Sequence, residues 1–328
     1  MEFHLIDLTP TLIISSMGVL LDLYHKTHQT GHTTKQEIKS FMPSHNSTES
    51  KVICEDQFAI ATTTYTPVSD VKGAIIIGPA TGIKRQIYAN FASFLADNGY
   101  GVITFDNRGI GDSLVGSVKS SDASLQCWGE KDMPAVFEQL KSTFPNTKYH
   151  LIGHSAGGQL VGLMHNAMDL TSIFNFACSS GQLRNMKTLY SVKAHFFMNF
   201  FIPLSNALFG YTKSQWVGMG EPLPKKVAQQ WREWCNSEGY VKASFGKTIH
   251  SHFYDDLSIP SIWVNATDDD IANNANVADM LSVFTKLNAE TLTLAPADFN
   301  LDEIGHMKFF SRKSQDLWNY ALNWLEKN

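Results

Sequence analysis

Short apolar runs alternate with amphipathic stretches along the chain from about Lys51 onward. Apolar runs of this kind predict strands, and apolar residues that recur at helical spacing predict helices. The predicted strands cover residues 52–55, 58–65, 74–77, 101–105, 149–152, 172–177, 261–266 and 290–294. The predicted helices cover residues 87–98, 132–144, 157–166, 276–287 and 317–324. This alternation predicts an α/β fold, in which a mostly parallel central sheet carries helices on both faces.

A segment of different composition interrupts the alternation after Gly181. Residues 186–250 show no strand pattern and are rich in Phe and Trp, and we interpret them as an inserted helical cap. Its aromatic residues include Phe196, Phe197, Phe200, Phe201, Trp216, Trp231 and Trp234. We expect them to lie over the carboxyl ends of the strands, where they either line a pocket or pack within the insertion.

Residues 1–50 are predicted to form an N-terminal extension to the domain at residues 51–328. Within the extension, residues 12–24 carry polar positions at helical spacing and predict an amphipathic helix. This helix either packs on its own domain or lies on a membrane surface or a partner. It is too short to span a bilayer, and it lacks the basic region and cleavage site of a secretion signal. Residues 26–50 are polar and predict a linker.

Composition narrows the class of protein. The 328 residues are 43% hydrophobic and 17% charged, as in an ordinary globular protein. The net charge of −5 argues against a nucleic-acid partner, because no basic surface would neutralise phosphates. The four cysteines lie far apart, which predicts reduced thiols and a cytoplasmic location. The His250-Ser251-His252 stretch does not fit the spacing of a metallohydrolase, so we expect no metal.

The first candidate for chemistry is Ser155, in the stretch YHLIGHSAGGQL at residues 149–160. An apolar strand ends there and a helix follows, with Gly153 and Gly157 on either side of the serine. A Gly-x-Ser-x-Gly turn between a strand and a helix exposes the serine hydroxyl, as a nucleophile elbow requires. The neighbouring His154 points elsewhere from such an elbow, so we do not expect it to act as the base.

A serine nucleophile needs a base and an orienting acid, which in this kind of sheet follow it as acid and then histidine. After the strand at 261–266 come Asp268, Asp269 and Asp270, and after the strand at 290–294 comes His306. Both positions lie where parallel strands end, beside the predicted elbow. The sequence therefore predicts a Ser–His–Asp triad, with His306 as the base and one of the three aspartates as the acid.

These motifs resemble the α/β-hydrolase superfamily and, more narrowly, a bacterial group of predicted α/β-hydrolases related to serine aminopeptidase-like and monoacylglycerol-lipase-like enzymes. The stretches that carry the resemblance are GPATG at 78–82, FDNRGIGDS at 105–113, the Ser155 elbow, TDDD at 267–270, IGHM at 304–307, GMGEPLP at 218–224 and WREWC at 231–235. The resemblance extends from about residue 51 to the last residue. It implies the α/β-hydrolase fold with a cap. Acyl transfer on a triad of this kind requires no cofactor, so none is expected.

The resemblance also implies roles for individual residues. Ile271 takes the apolar position two residues after the acid, which selects Asp269, with Asp268 as the alternative. The oxyanion that forms during acyl transfer needs two backbone N–H donors. One is expected from Ala156, directly after the nucleophile, and the other from Thr81 in the loop after the strand at 74–77, with Ala80 as the alternative.

The predicted function is a serine hydrolase of the carboxylesterase or lipase kind, which cleaves a small-molecule ester with an apolar acyl or alkyl group. Three alternatives stay open. An acyltransferase or an aminopeptidase-like amide hydrolase would use the same triad, and a relative that has lost catalysis would only bind a ligand. The last is disfavoured because Ser155, Asp269 and His306 are all present.

Overall fold

An eight-stranded sheet forms the centre of the computed structural model, which describes residues 44–328. Its strands are β1 His45–Ile53, β2 Ala59–Pro67, β3 Gly73–Gly78, β4 Tyr100–Phe105, β5 Tyr149–His154, β6 Ser172–Phe176, β9 Pro260–Ala266 and β10 Asn288–Leu294. Their order across the sheet is β1-β2-β4-β3-β5-β6-β9-β10. The pairs β1/β2 and β2/β4 are antiparallel, and all the others are parallel. The mostly parallel sheet predicted from the sequence is thereby confirmed.

Helices cover both faces of the sheet. They are α1 Ala89–Asp97, α2 Leu125–Cys127, α3 Met133–Thr143, α4 Ala156–Gln159, α5 Thr188–Phe196, α6 Ile202–Phe209, α7 Lys225–Cys235, α8 Asn274–Leu281 and α9 Gln315–Lys327. The helix after the elbow is shorter than predicted, because α4 passes into a 3₁₀ helix at Leu160–Leu163. None of the helices in residues 44–328 combines the length and apolar composition needed to cross a membrane.

The side-chain alternation of the central strands divides the core into two layers. Every residue of β3 is buried, as expected for a parallel strand covered on both faces. Ile76 packs on one side with α3, whereas Ile75 and Ile77 pack on the other side with α1 and α9. The two layers hold the strands in register, so the loops at their carboxyl ends have fixed starting points.

The first hairpin differs from the prediction at its outer strand. β1 begins at His45, so residues 45–50 belong to the sheet and not to the expected linker. The pattern missed them because β1 is an edge strand with mostly exposed, polar side chains, which pairs with β2 through its backbone. The predicted helix at 12–24, with its membrane contact, lies outside the described residues.

The segment between β6 and β9 is helical, as predicted. In it α5 passes through a π-helix at Phe197–Phe201 into α6, and α7 follows. The pattern did not show a small two-stranded sheet there, formed by β7 Tyr211–Thr212 and β8 Leu223–Pro224. Strands this short carry no periodicity to detect.

Candidate active site

Ser155 stands at a sharp turn between β5 and α4. Its backbone has φ 50° and ψ −117°, a combination that residues with a side chain rarely adopt. Such strain costs about 1–3 kcal/mol and persists only where the surroundings enforce it. The turn leaves the Ser155 side chain partly exposed, whereas the residues on both sides of it are buried.

The glycines of the elbow are required by close packing. A Cβ atom on Gly157 would lie 2.0 Å from the carbonyl oxygen of Gly78 on β3. A Cβ atom on Gly153 would lie 2.4 Å from the Cα atom of Gly158. Neither clash could be relieved by a side-chain movement, because both neighbours are backbone atoms. The two glycines therefore let the helix start against the sheet, and Ser155 takes the positive φ.

The structure brings together the three side chains predicted for the triad. His306 Nε2 lies 3.1 Å from Ser155 Oγ, and His306 Nδ1 lies 2.8 Å from Asp269 Oδ2. The Asp269 side chain is fully buried, whereas that of His306 retains 16% exposure. Hydrogen bonds thus connect a partly exposed hydroxyl, an imidazole and a buried carboxylate in the order that proton transfer from the serine requires.

The environment of Asp269 keeps its carboxyl group ionised. Burial by itself raises the pKa of Asp269, but the charge and hydrogen bond of His306 lower it, as do the backbone N–H groups of Ala272 and Ile271. The net pKa lies below the ordinary value. Each of the two N–H groups donates to Oδ1 over 2.8 Å, which leaves Oδ2 to accept from His306.

Asp268, the alternative acid, has a different set of partners. Its carboxylate accepts the backbone N–H groups of Ile304 and Gly305, each over 3.0 Å. It therefore holds the loop that carries His306, whereas the imidazole itself is hydrogen-bonded to Asp269 and Ser155. Sequence reasoning missed this role, and the only available signal was an additional aspartate beside the acid.

Three backbone N–H groups are candidates to bind an oxyanion: Ala156 directly follows Ser155, and Ala80 and Thr81 line the same pocket as Ser155. The N–H group of Ala80 is already used, because it donates to Tyr88 Oη over 2.9 Å. The N–H groups of Thr81 and Ala156 have no hydrogen-bond acceptor within residues 44–328. This difference favours Thr81 over Ala80 as the donor from the loop after β3.

A pocket of about 910 Å³ opens at Ser155 and His306, beneath the insertion. Its lining is largely apolar, and the residues that contribute to it include Leu183, Met186, Phe196, Phe197, Met198 and Trp231. Three of the seven aromatic residues line it, and two pack within the insertion, which was the other arrangement expected. The prediction was wrong for the remaining two, Phe200 and Trp216. Phe200 and Trp216 are mostly exposed, Trp234 is buried against Tyr240, and Phe201 stacks on Phe197.

The acidic groups around this pocket already have partners. Asp269 is hydrogen-bonded to His306, and Asp268 accepts two backbone N–H groups of the loop that carries His306. Glu303 forms an ion pair with Lys308, and an oxygen of Asp270 lies 3.5 Å from Lys187 Nζ. The pocket therefore offers little unpaired negative charge to a ligand.

The histidines near Phe245 do not form a metal site. His252 stacks on the Phe245 ring at a centroid distance of 3.9 Å. Across residues 44–328, no group of three or more His, Cys, Asp or Glu side chains is arranged to hold a metal ion.

The four cysteines are free thiols, and burial raises the pKa of Cys127 to about 11 and that of Cys54 to about 12.

Comparison with known sequences finds similarity to hydrolases. The family model described as serine aminopeptidase, S33, matches residues 69–216. Protein phosphatase methylesterase 1 from Candida albicans is 31% identical over 99 residues, which make up 30% of this chain and 26% of that protein. The match thus spans about a quarter of the length of this relative.

Solved structures with this fold cover nearly the whole chain. A soluble variant of monoglyceride lipase from Saccharomyces cerevisiae, solved with a substrate analogue, superposes with a TM-score of 0.57 at 15% identity, over 87% of this chain and 95% of the lipase. An esterase from Pyrococcus furiosus superposes with a TM-score of 0.54 at 14% identity, over 91% of this chain and 95% of the esterase. At such identities the likeness shows a shared fold, which is the one that the sequence motifs predicted.

Proposed function

We propose that this chain belongs to the α/β-hydrolase superfamily and is a serine hydrolase that cleaves carboxylic esters with an apolar acyl or alkyl group. The observation that carries the proposal is the hydrogen-bonded series Ser155–His306–Asp269 at the floor of an apolar pocket. The match to the S33 family model supports a hydrolase more generally. The insertion acts as a cap that lines the acyl site with Phe197, Met198 and Trp231.

The geometry is suited to a two-step acyl transfer. Ser155 Oγ attacks the ester carbonyl carbon while His306 Nε2 takes the hydroxyl proton. The N–H groups of Thr81 and Ala156 bind the oxyanion, and Asp269 stabilises the imidazolium. The bond to the leaving alcohol then breaks as His306 returns the proton to the alcohol oxygen. A water molecule then attacks the acyl carbonyl carbon while His306 Nε2 takes a proton from it. The bond between the acyl carbon and Ser155 Oγ breaks, the carboxylic acid is released, and His306 returns the proton to Ser155 Oγ.

The lining of the pocket favours esters over peptides with a free amine. A charged amine needs an unpaired carboxylate to replace its water, and the acidic groups at this site are already engaged. Apolar side chains contribute most of the remaining wall. An acyl chain buried there gains about 0.8 kcal/mol per methylene. The pocket therefore favours an ester, because burial of an apolar acyl chain is favourable whereas burial of an unpaired ammonium group is costly.

A series of p-nitrophenyl esters from acetate to octanoate tests this proposal, because the leaving group stays constant. We expect kcat/KM to rise by about fourfold per added methylene until the pocket is filled. Aminoacyl p-nitroanilides with a free amine should react far more slowly. A flat or falling trend from acetate to octanoate, or faster cleavage of the anilides, would contradict the proposed acyl site.

A further inference from the structure

Two fully buried polar side chains beneath the active site are not explained by the mechanism above. Tyr88 comes from the 3₁₀ helix at Arg85–Tyr88, and His154 is the last residue of β5. Tyr88 Oη lies 2.9 Å from His154 Nδ1, and His154 Nε2 lies 2.9 Å from the carbonyl oxygen of His306. The hydroxyl of Tyr88 also accepts the N–H group of Ala80 over 2.9 Å.

The partners determine the direction of every hydrogen bond in this series. The His306 carbonyl can only accept, so His154 carries its proton on Nε2. Nδ1 is then an acceptor, and the Tyr88 hydroxyl donates to it. The hydroxyl oxygen remains free to accept from Ala80. Burial, followed by the charge of His306, lowers the pKa of His154 to about 3, which is consistent with a neutral ring.

The series connects two loops that are far apart in the sequence. Ala80 and Thr81 follow β3, at one side of Ser155, whereas His306 lies in the loop after β10. Phe310 packs against both rings of the series, with centroid distances of 4.7 Å to Tyr88 and 4.9 Å to His154. The rings are thus held in place by packing, and their polar atoms are fully used.

We propose that Tyr88 and His154 are positioning residues that hold the oxyanion loop and the His306 loop at fixed places on either side of Ser155. This proposal rests on the proposed function, because it assigns to Thr81 the oxyanion donor and to His306 the base. Tyr88 orients the peptide unit before the Thr81 N–H group through Ala80. His154 holds the backbone of His306 itself. Neither side chain touches the substrate.

The first variant is Tyr88→Phe, which keeps the ring and its packing but removes the hydroxyl. The Ala80 N–H group then loses its acceptor and His154 Nδ1 loses its donor. We expect kcat for p-nitrophenyl butyrate to fall by about tenfold to a hundredfold, because small displacements of catalytic groups carry such costs. We expect KM to stay within about twofold, since the pocket wall is unchanged.

A transition-state analogue separates positioning from general loss of stability. A trifluoromethyl ketone forms a hemiketal with the serine and presents its oxyanion to the two N–H donors. Its Ki should rise in Tyr88→Phe by the same factor as kcat/KM falls. The matched control is Tyr149→Phe, which removes a tyrosine hydroxyl that donates to the Phe144 carbonyl at the opposite end of β5. This control should change neither kcat nor Ki.

Two substitutions at His154 test the other end of the series. His154→Gln offers an amide N–H at the position of Nε2 and should retain most of the activity. His154→Leu cannot donate to the His306 carbonyl and should lose kcat by about as much as Tyr88→Phe. This pair also decides the question if Tyr88→Phe does not fold. Circular dichroism establishes that the compared variants are folded.

The outcomes separate this inference from the proposed function. If wild-type protein neither cleaves the esters nor binds the trifluoromethyl ketone, the proposed function fails and the inference fails with it. If the wild type is active and Tyr88→Phe keeps kcat and Ki within twofold, the positioning role alone is wrong. Equal activity of His154→Gln and His154→Leu would also overturn it.

Discussion

The strand-end edge around Ser155 and the helical insertion above it differ in how strictly their side chains are held. At the edge, Asp269 has three polar partners, and Asp268 and His154 have two each, all at 2.8–3.0 Å. In the insertion, similar residues take opposite positions: Phe197 lines the pocket and is 8% exposed, whereas Phe200 is 55% exposed. At the strand ends, hydrogen bonds determine the residue type and the position of each of these side chains. In the insertion, the side chains need only be apolar, and their orientation varies.

This difference predicts how the two regions respond to substitution. At the edge a single atom is decisive, because each hydrogen bond sets the position of a reacting group. In the insertion the consequence depends on which way the side chain faces, and most changes alter affinity more than the chemical step.

Loss of the nucleophile or the base should have the largest effect. Ser155→Ala and His306→Ala should each lower kcat for p-nitrophenyl esters by about 10⁶-fold, as the corresponding changes do in a known serine hydrolase that uses a triad. Both side chains are partly exposed in the pocket and neither fills the core, so the melting temperature should change little. Steady-state kinetics and thermal unfolding of the same preparations check both statements. Ester cleavage at wild-type rate by either variant would remove the basis of the mechanism.

The two neighbouring aspartates should differ sharply. Asp269→Asn should lower kcat by about 10⁴-fold, because the amide would favour the wrong tautomer of His306. Asp268→Asn should lower it by only about tenfold, since one oxygen remains to accept from the His306 loop. The ratio of the two kcat values is the measurement. The reverse order would mean that Asp268 is the orienting acid.

Matched pairs in the insertion test which aromatic residues form the acyl site. Phe197→Ala and Trp231→Ala should lower kcat/KM for the octanoate ester by roughly tenfold, with a much smaller effect on acetate. Phe200→Ala and Trp216→Ala remove side chains of the same kinds that are 55% and 62% exposed, and they should stay within about twofold. Equal effects of Phe197→Ala and Phe200→Ala, or of Trp231→Ala and Trp216→Ala, would show that the effect on kcat/KM does not depend on whether the side chain lines the pocket.

The buried histidines should make the protein sensitive to acid. Burial lowers the pKa of His154 to about 3 and that of His150 to about 4, from an ordinary value of 6.5. Below pH 6.5 the unfolded chain therefore takes up protons that the native state does not, so the stability falls as the pH falls towards 4. Each group adds a slope of about 1.4 kcal/mol per pH unit.

The difference between wild type and His154→Gln isolates one of these groups. Urea unfolding from pH 6.5 down to 4 should give a slope that is smaller in His154→Gln by about 1.4 kcal/mol per pH unit. Taking the difference removes contributions from other titrating groups. Parallel stability curves for the two proteins would mean that His154 is protonated in the native state.

The strand ends and the insertion also differ in how well the sequence predicts their structure. Ser155 and His306 could be predicted because each must be one residue type at the end of a particular strand. The same argument left three adjacent aspartates, and only the resemblance to a family selected Asp269 among them. The parallel sheet could be found because buried strands and amphipathic helices leave a periodic pattern. β1 extended further than its pattern because backbone pairing does not depend on apolar side chains.

Long-range partnerships left no signal in the sequence. Tyr88 lies 66 residues from His154, and nothing near either residue indicates that they meet. The additional role of Asp268 depends on two backbone N–H groups in a loop 36 and 37 residues later. The orientation of the insertion aromatics is equally hidden, because inward-facing and outward-facing Phe and Trp look the same in composition.

The identity of the nucleophile is the central claim, and covalent labelling measures it directly. Wild-type protein treated with a fluorophosphonate should gain the mass of one adduct, and peptide mapping should place it on Ser155. Ser155→Ala and heat-denatured wild type should gain none, because the one lacks the hydroxyl and the other lacks the arrangement that activates it. Labelling of Ser155→Ala at the wild-type rate, or an adduct on another residue, would contradict the account.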